Sequence, residues 1–423
     1  MPSRYTAHVV QSMNEIDAAE WDACANPGVP EHELNPPAPN RLADAAEDRC
    51  VEDAAARELE QSKHEVERFN PFITHAFLKA LETSKSVAPR HGWTSTHIVV
   101  KDDGGHIAAA APAYLKMHSM GEFVFDYGWA DAYQRAGVKY YPKLQVAVPF
   151  TPATGRRLLV APGHGEAARR TLIAGLRSWR EKIEASSIHI TFPTRSEWQA
   201  LGASGFLQRT GQQFHFINKG YADFEAFLAD LASRKRKMIR RERKEALAPG
   251  IEIELLTGSA IKESHWDSFF LFYQDTGARK WGAPYLTREF FSSVGATMAE
   301  HILLVMAKRN GRYIAGAINF IGKDALYGRN WGAIEEHPFL HFEVCYYQAI
   351  EFAIGRGLAR VEAGAQGEHK LARGYGPVPT YSAHDIADKR FALAIDEYLQ
   401  RERVHIDAAM EEYGELTPFR KGP

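Results

Sequence analysis

Two stretches of the chain, 97–116 (HIVVKDDGGHIAAAAPAYLK) and 301–323 (HILLVMAKRNGRYIAGAINFIGK), repeat one pattern: an apolar run, a tight turn, and a second run of mostly small residues. Asp103-Gly104 and Asn310-Gly311 mark the turns, dipeptides that supply the positive φ angles of a type I′ hairpin. Aligning the turns also aligns His106-Ile107-Ala108-Ala109-Ala110 with Tyr313-Ile314-Ala315-Gly316-Ala317. Downstream, FVFDYGWADAY (123–133) and ALYGRNWGA (325–333) each reach a Gly/Trp pair, and Tyr140-Tyr141 and Tyr346-Tyr347 follow at nearly equal distances. These features recur in the same order, which defines an internal duplication of a unit of roughly 170 residues.

The total of 423 residues suits that reading, since roughly 150 residues per domain allows two or three domains. Hydrophobic residues at 45% and charged residues at 25% exclude a disordered, collagen-like or coiled-coil chain. No apolar run is long enough to span a membrane, and the first residues lack the apolar region of a secretory signal. The three cysteines, Cys24, Cys50 and Cys345, are too scattered for a disulfide framework, so a cytoplasmic location is expected.

Each unit continues in helical and then strand periodicity. Leu172, Leu176, Trp179 and Ile183 share one helical face before the strand IHITF, and Val344, Tyr347, Ile350 and Ile354 share another before ARVEA. Between residues 25 and 43, Pro27, Pro30, Pro36, Pro37 and Pro39 exclude helix and inner strand, and an Ala/Glu-rich stretch reading as an exposed acidic helix follows. We read 27–66 as a surface insertion between the N-terminal segment 1–26 and the first unit, 67–222. The second unit, 223–423, opens with a basic helix over 228–248 and ends in a helical segment.

Hairpin, strand, helix and strand around a mixed sheet, occurring twice, resembles the acyl-CoA N-acyltransferase (GNAT) fold in tandem. The tandem arrangement is similar to the Fem aminoacyltransferases, which add amino acids from aminoacyl-tRNA to peptidoglycan precursors. More closely, the chain resembles the FemAB-like proteins of peptidoglycan biosynthesis or recognition. The match runs through NPF (70–72), GEFVFDYGWADAY (121–133), YYPKL (140–144), PFTPATGRRLL (149–159), QFHFIN (213–218), SRKRKMIRRERK (233–244), LYGRNWG (326–332), HFEVCYYQ (341–348) and GAQGEHKLARGYGP (364–377). It implies an α/β fold of two GNAT-like domains and an N-acyltransferase or aminoacyltransferase with an amine-bearing small-molecule or peptide acceptor. The favoured donor is aminoacyl-tRNA. An acyl-CoA donor, or a non-catalytic protein recognising a cell-wall precursor or RNA, is the alternative. The oligomeric state stays open, a monomer included.

Four motifs offer chemistry. The basic segment carries Arg234, Lys235, Arg236, Lys237, Arg240, Arg241, Arg243 and Lys244 against the single acid Glu242, a charge run suited to phosphates or to a solvated face. Arg236, Arg240 and Arg243 are its candidate donor contacts. Gly163-His164-Gly165 before a helix fits the last part of a pyrophosphate loop, whose backbone N–H groups would meet an anion. In HFEVCYYQ, Glu343 and Tyr347 fall on one helical face with His341 near the helix start, so His341 and Glu343 are candidate proton acceptors for an attacking amine. The preceding Arg329, Asn330 and Trp331 end a strand that in GNAT enzymes offers an N–H to the oxyanion. The glycine-punctuated loop 364–377 crowds Gln366, Glu368, His369, Lys370 and Arg373, with Lys370 the leading catalytic candidate. In the first unit Asp126, Trp129, Tyr140, Tyr141 and Lys143 take the corresponding places, and are expected to line an acceptor site. No Ser/His/Asp order, P-loop, HExxH or Cys/His metal spacing occurs, so neither a bound cofactor nor a metal is expected.

Overall fold

The computed structural model describes residues 5–28, 69–280, 284–364 and 367–420. The strands of the N-terminal half are β1 (Thr6–Val10), β2 (Trp93–Ser95), β3 (His97–Lys101), β4 (Ile107–Ala111), β5 (Ala113–Lys116), β6 (Lys143–Val146), β7 (Leu159–Val160), β8 (Ser187–Thr191) and β9 (Leu207–Ile217). Those of the C-terminal half are β10 (Ile251–Leu256), β11 (Ile302–Arg309), β12 (Arg312–Ile321), β13 (Ala325–Ala333), β14 (Arg360–Glu362) and β15 (Tyr375–Ile386). The helices are α1 (Ala18–Ala25), α2 (His75–Thr83), α3 (Tyr127–Arg135), α4 (Gly165–Lys182), α5 (Arg195–Ala203), α6 (Phe224–Asp230), α7 (Ser233–Leu247), α8 (Glu263–Lys280), α9 (Arg288–Met298), α10 and α11 (Lys389–Glu415). Helix α10 begins at Leu340–Phe342, widens to one π turn over Glu343–Tyr347 and continues as Gln348–Gly355.

Both predicted hairpins form, with different turns. Asn310 (φ 51°) and Gly311 (φ 77°) give the type I′ turn between β11 and β12. Between β3 and β4 only Gly105 has positive φ (83°), and Asp103-Gly104 does not make a type I′ turn. The Asp102 carboxylate accepts from the Gly104 and His106 N–H groups and holds a longer loop instead.

Pro112 separates β4 from β5, so the first hairpin ends in a four-stranded sheet of order β1-β3-β4-β7 while β5 joins an eleven-stranded sheet. The large sheet runs β10-β11-β12-β13-β14-β9-β15-β8-β6-β5-β2. Its centre is an exchange: β9 of the N-terminal half pairs with β14 of the C-terminal half, and β15 returns to pair with β8. These two long strands pair with each other over Tyr375↔Phe216 to His384↔Leu207, so the sheet continues across 222/223. Outward from this seam β14, β13 and β12 on one side answer to β8, β6 and β5 on the other; beyond them β11 and β10 stay in the large sheet, whereas β3 and β1 belong to the four-stranded one. Parallel pairing occurs at β6/β8 (144–146 with 188–190) and β13/β14 (325–327 with 360–362), once in each half. The fold is mixed α/β, with two halves of related order joined through one mixed sheet.

The helical faces read from the sequence are the buried ones. Leu172 and Leu176 of α4 pack on β3, β4 and β8, and Val344, Tyr347 and Ile350 of α10 are fully buried beneath the second half of the sheet. The basic helix is shorter than 228–248, because Leu231 turns extended, bridges to Phe419 and breaks it into α6 and α7. Helix α11 packs on the seam strands and reaches the first half: Ile395 and Leu399 join Trp129, Tyr133 and Tyr140, while Glu402 receives two hydrogen bonds of 2.7 Å from Arg209. The proposed acidic helix and all of 29–66 lie outside the described residues. On either side, Asn26 and Asn70 are joined by a 2.8 Å bond from the Asn70 N–H, and Phe72 of the NPF segment packs on Phe320 and Tyr327 of the second half.

Candidate functional site

The C-terminal parallel pair opens into a splay. Strand β13 pairs with β14 only over Ala325–Tyr327, and then runs on through Gly328–Ala333. Beside Trp331 on β13 stand the start of α10 and the turn at 367–374. Three of the predicted residues meet here: Trp331 lies against the His341 ring (centroids 5.1 Å), and His341 faces His369 at 6.3 Å. Tyr346 completes the cluster, its hydroxyl 2.8 Å from His369 Nε2 and its ring 5.3 Å from His341. The π turn of α10 spans Tyr346, a departure from α geometry often found at functional sites.

Lys370 follows in the 3₁₀ turn Glu368–Arg373, ended by Gly374 at φ 92°. Its side chain is buried, and its ammonium donates to the Gly364 carbonyl at 2.7 Å. Burial lowers its pKa to about 8. No described carboxylate pairs with it. The side chain of Glu368 and Gln366 lie outside the described residues.

Other candidates are spent on structure. Arg329 does not join Trp331, because a β-bulge between Ile318↔Asn330 and Asn319↔Gly328 makes it the extra residue of β13. Its guanidinium points into the interface with the first half, donating to the Phe150 carbonyl and lying over Phe72. Burial lowers its pKa to about 10. Asn330 is half-buried on the same strand. Glu343 is fully buried, receives Arg243 at 2.9 Å and Gln348 at 2.7 Å, and so cannot serve as a proton acceptor in this arrangement. Tyr347 likewise turns to α7, donating to Glu242. Glu242 is the residue that sequence reasoning passed over. The lone acid of the basic run is buried and takes two hydrogen bonds from Arg373 Nη2 (2.8 and 3.0 Å), whose guanidinium lies 3.4 Å over the Phe342 ring. Its isolation among cations was the available signal.

The inward face of α7 is therefore Ile239, Glu242 and Ala246, with Met238 at its edge. Arg243 is drawn in to Glu343, Arg240 is paired with Glu225 and Arg241 with Glu245. Arg234, Lys235, Arg236, Lys237 and Lys244 have no partner among the described residues, and Arg234, Lys237 and Lys244 are exposed.

At the other parallel pair the predicted residues are interlocked. Asp126 takes Lys143 at 2.6 Å and the Tyr140 hydroxyl at 2.6 Å, and Lys143 holds it far below the usual carboxylate range against the effect of burial. The Tyr141 hydroxyl meets Ser119 at 2.7 Å, and Trp129 packs edge-on to His384 (centroids 4.9 Å). Gly163 (φ 87°) and Gly165 (φ 53°) open α4 with nothing within 4 Å of where a Cβ would stand. Among the described residues there is no group of His, Cys, Asp and Glu fit for a metal, and no helix long and apolar enough to cross a membrane.

Among solved structures, FemX is 13% identical, covering 74% of this chain and 93% of that one with a TM-score of 0.47. L-PGS from Bacillus licheniformis is 10% identical over 76% of this chain and 95% of that one (TM-score 0.45). A tandem GNAT protein from the clavulanic acid biosynthesis pathway is 12% identical over 91% and 99% (TM-score 0.41). Likeness at this level carries no argument about chemistry. No curated protein matches significantly. The FemAB_like family model, described as peptidoglycan biosynthesis/recognition, matches residues 12–421, and the chain belongs to that family.

Proposed function

We propose that the chain is an enzyme of the N-acyltransferase type, moving an aminoacyl group from aminoacyl-tRNA to an amine of a peptidoglycan-precursor-like acceptor at the C-terminal splay. The observation that carries this reading is Lys370: a buried ammonium one residue from His369, donating to the Gly364 carbonyl, without a described carboxylate to neutralise it. The acceptor nitrogen attacks the ester carbonyl of the donor, negative charge gathers on the carbonyl oxygen, and the ribose hydroxyl leaves. A fixed cation beside that oxygen stabilises the transition state more than the ground state. His341 and His369, with ring centroids 6.3 Å apart, would take the ammonium proton. The cations of α7 that have no partner among the described residues suit the phosphates of the tRNA.

The test is amide formation with charged tRNA. Lys370→Met should abolish transfer and leave thermal unfolding in place; retained transfer removes Lys370 from the mechanism. An acyl-CoA donor is the second reading, favoured by the open approach to Gly163 and Gly165 at the start of α4. Thermal stabilisation by CoA but not by charged tRNA would select it.

A further inference from the structure

Lys116 and Lys143 stand directly opposite each other on β5 and β6. Like charges in facing positions of an antiparallel ladder repel, and here both side chains are buried, at 0% and 1% exposure. A sheet that keeps two such lysines needs an anion between them. Glu122 supplies one, with Oε1 3.4 Å from Lys116 Nζ and 3.5 Å from Lys143 Nζ. These contacts are loose: Glu122 Oε1 is buried and has no hydrogen bond.

The better bonds of both lysines go elsewhere. Lys143 donates to Asp126 at 2.6 Å and to Ser119 at 2.8 Å; Lys116 donates to the Met120 carbonyl at 2.9 Å and lies 3.5 Å over the Trp93 ring. Burial lowers Lys116 to about pKa 7 and raises that of Glu122, so neither is a comfortable ion where it sits. Glu122 reaches in from a segment, 117–126, without helix or strand. Phe123 holds a left-handed φ of 59° there, and the outward side chains include Met117, Met120 and Phe125, each half or more exposed.

We propose that Lys116 and Lys143 form a binding site for an anionic group, a carboxylate or a phosphate of a ligand, and that Glu122 fills it from a lid, 117–125, which the ligand displaces while Asp126, bound to Lys143 and Tyr140, stays in place. With the lid in, two cations face two carboxylates, Glu122 and Asp126. With it out, Asp126 remains and one positive charge is left for the ligand. The site lies in the N-terminal half and does not depend on the transfer chemistry at the splay.

The probes are inorganic phosphate and N-acetylglycine, titrated calorimetrically into the full chain. Glu122→Gln removes the competing charge and should tighten binding of at least one probe roughly ten-fold or more. Adding Lys116→Met should abolish it. Phosphate binding alone marks a phosphate-bearing ligand, N-acetylglycine alone a carboxylate-bearing one. Should Glu122→Gln not fold, hydrogen exchange on the unaltered chain answers instead: saturating probe should speed exchange of the 117–125 amides. Neither probe binding, binding that survives Lys116→Met, or unchanged exchange in that segment would overturn the site.

Discussion

Glu242 and Lys370 are buried charges with opposite consequences. Glu242 neutralises Arg373 and accepts from Tyr347, so Glu242→Ala strands a buried guanidinium and should cost about 3–5 kcal/mol, read as a fall in the urea midpoint. An unchanged midpoint would show that the pair contributes nothing. Lys370 has no such carboxylate among the described residues, so its removal should spare stability. Because its ammonium form prevails only below about pH 8, the part of the transfer rate that depends on Lys370 should fall as pH rises through that value. A rate that keeps climbing above it would contradict the electrostatic role. The sequence pointed to His369 and Lys370 because polar groups crowded among glycines after an apolar strand have few structural uses, and to His341 because it stands near a helix start. It hid Arg329, whose direction depends on one bulge, and Glu343, whose partner lies a hundred residues away on α7.

Among the elements, β13 has little room at Gly332. A Cβ at Gly332 would come within 2.1 Å of the Phe272 carbonyl oxygen on α8, so Gly332→Ala should destabilise by about 1–3 kcal/mol or more and disturb the neighbouring Trp331. Normal stability in that variant would refute the close approach. Helix α7 divides its charges: Arg243 goes inward, and Arg234, Lys235, Arg236 and Lys237 have no partner among the described residues. Neutralising Arg234, Arg236 and Lys237 together should therefore weaken tRNA binding and reduce its salt slope by about 2–3, whereas Arg240→Gln should change it little. Equal slopes would remove the helix from donor binding. Helical periodicity located α4 and α10 well because their buried faces follow local spacing. The end of the basic helix was not legible, since Leu231 is set by its pairing with Phe419, far off in sequence.

In the whole molecule, duplication was legible and exchange was not. Repeated hairpins and tyrosine pairs announce two units, but nothing local tells β9 and β15 to trade partners. That choice is made by long-range register and by what the seam buries. At the seam His189 on β8 meets His384 on β15, Nδ1 to Nδ1 at 2.7 Å. Burial holds His189 down to about pKa 3 and His384 well below its ordinary value, so both stay neutral in the fold. The unfolded chain takes up protons as pH falls below about 6.5 while the folded chain does not, so stability is lost toward acid at up to about 1.4 kcal/mol per pH unit for each histidine. His384→Gln should flatten that slope, and an unchanged slope in urea unfolding would place the acid sensitivity elsewhere.

The proposed activity stands or falls on one reaction. Purified chain, bulk tRNA charged with labelled amino acids and a pool of soluble peptidoglycan-precursor peptides should yield a labelled amide that Lys370→Met does not form. No labelled amide from charged tRNA, under conditions where acyl-CoA gives one, would contradict the aminoacyl-tRNA donor.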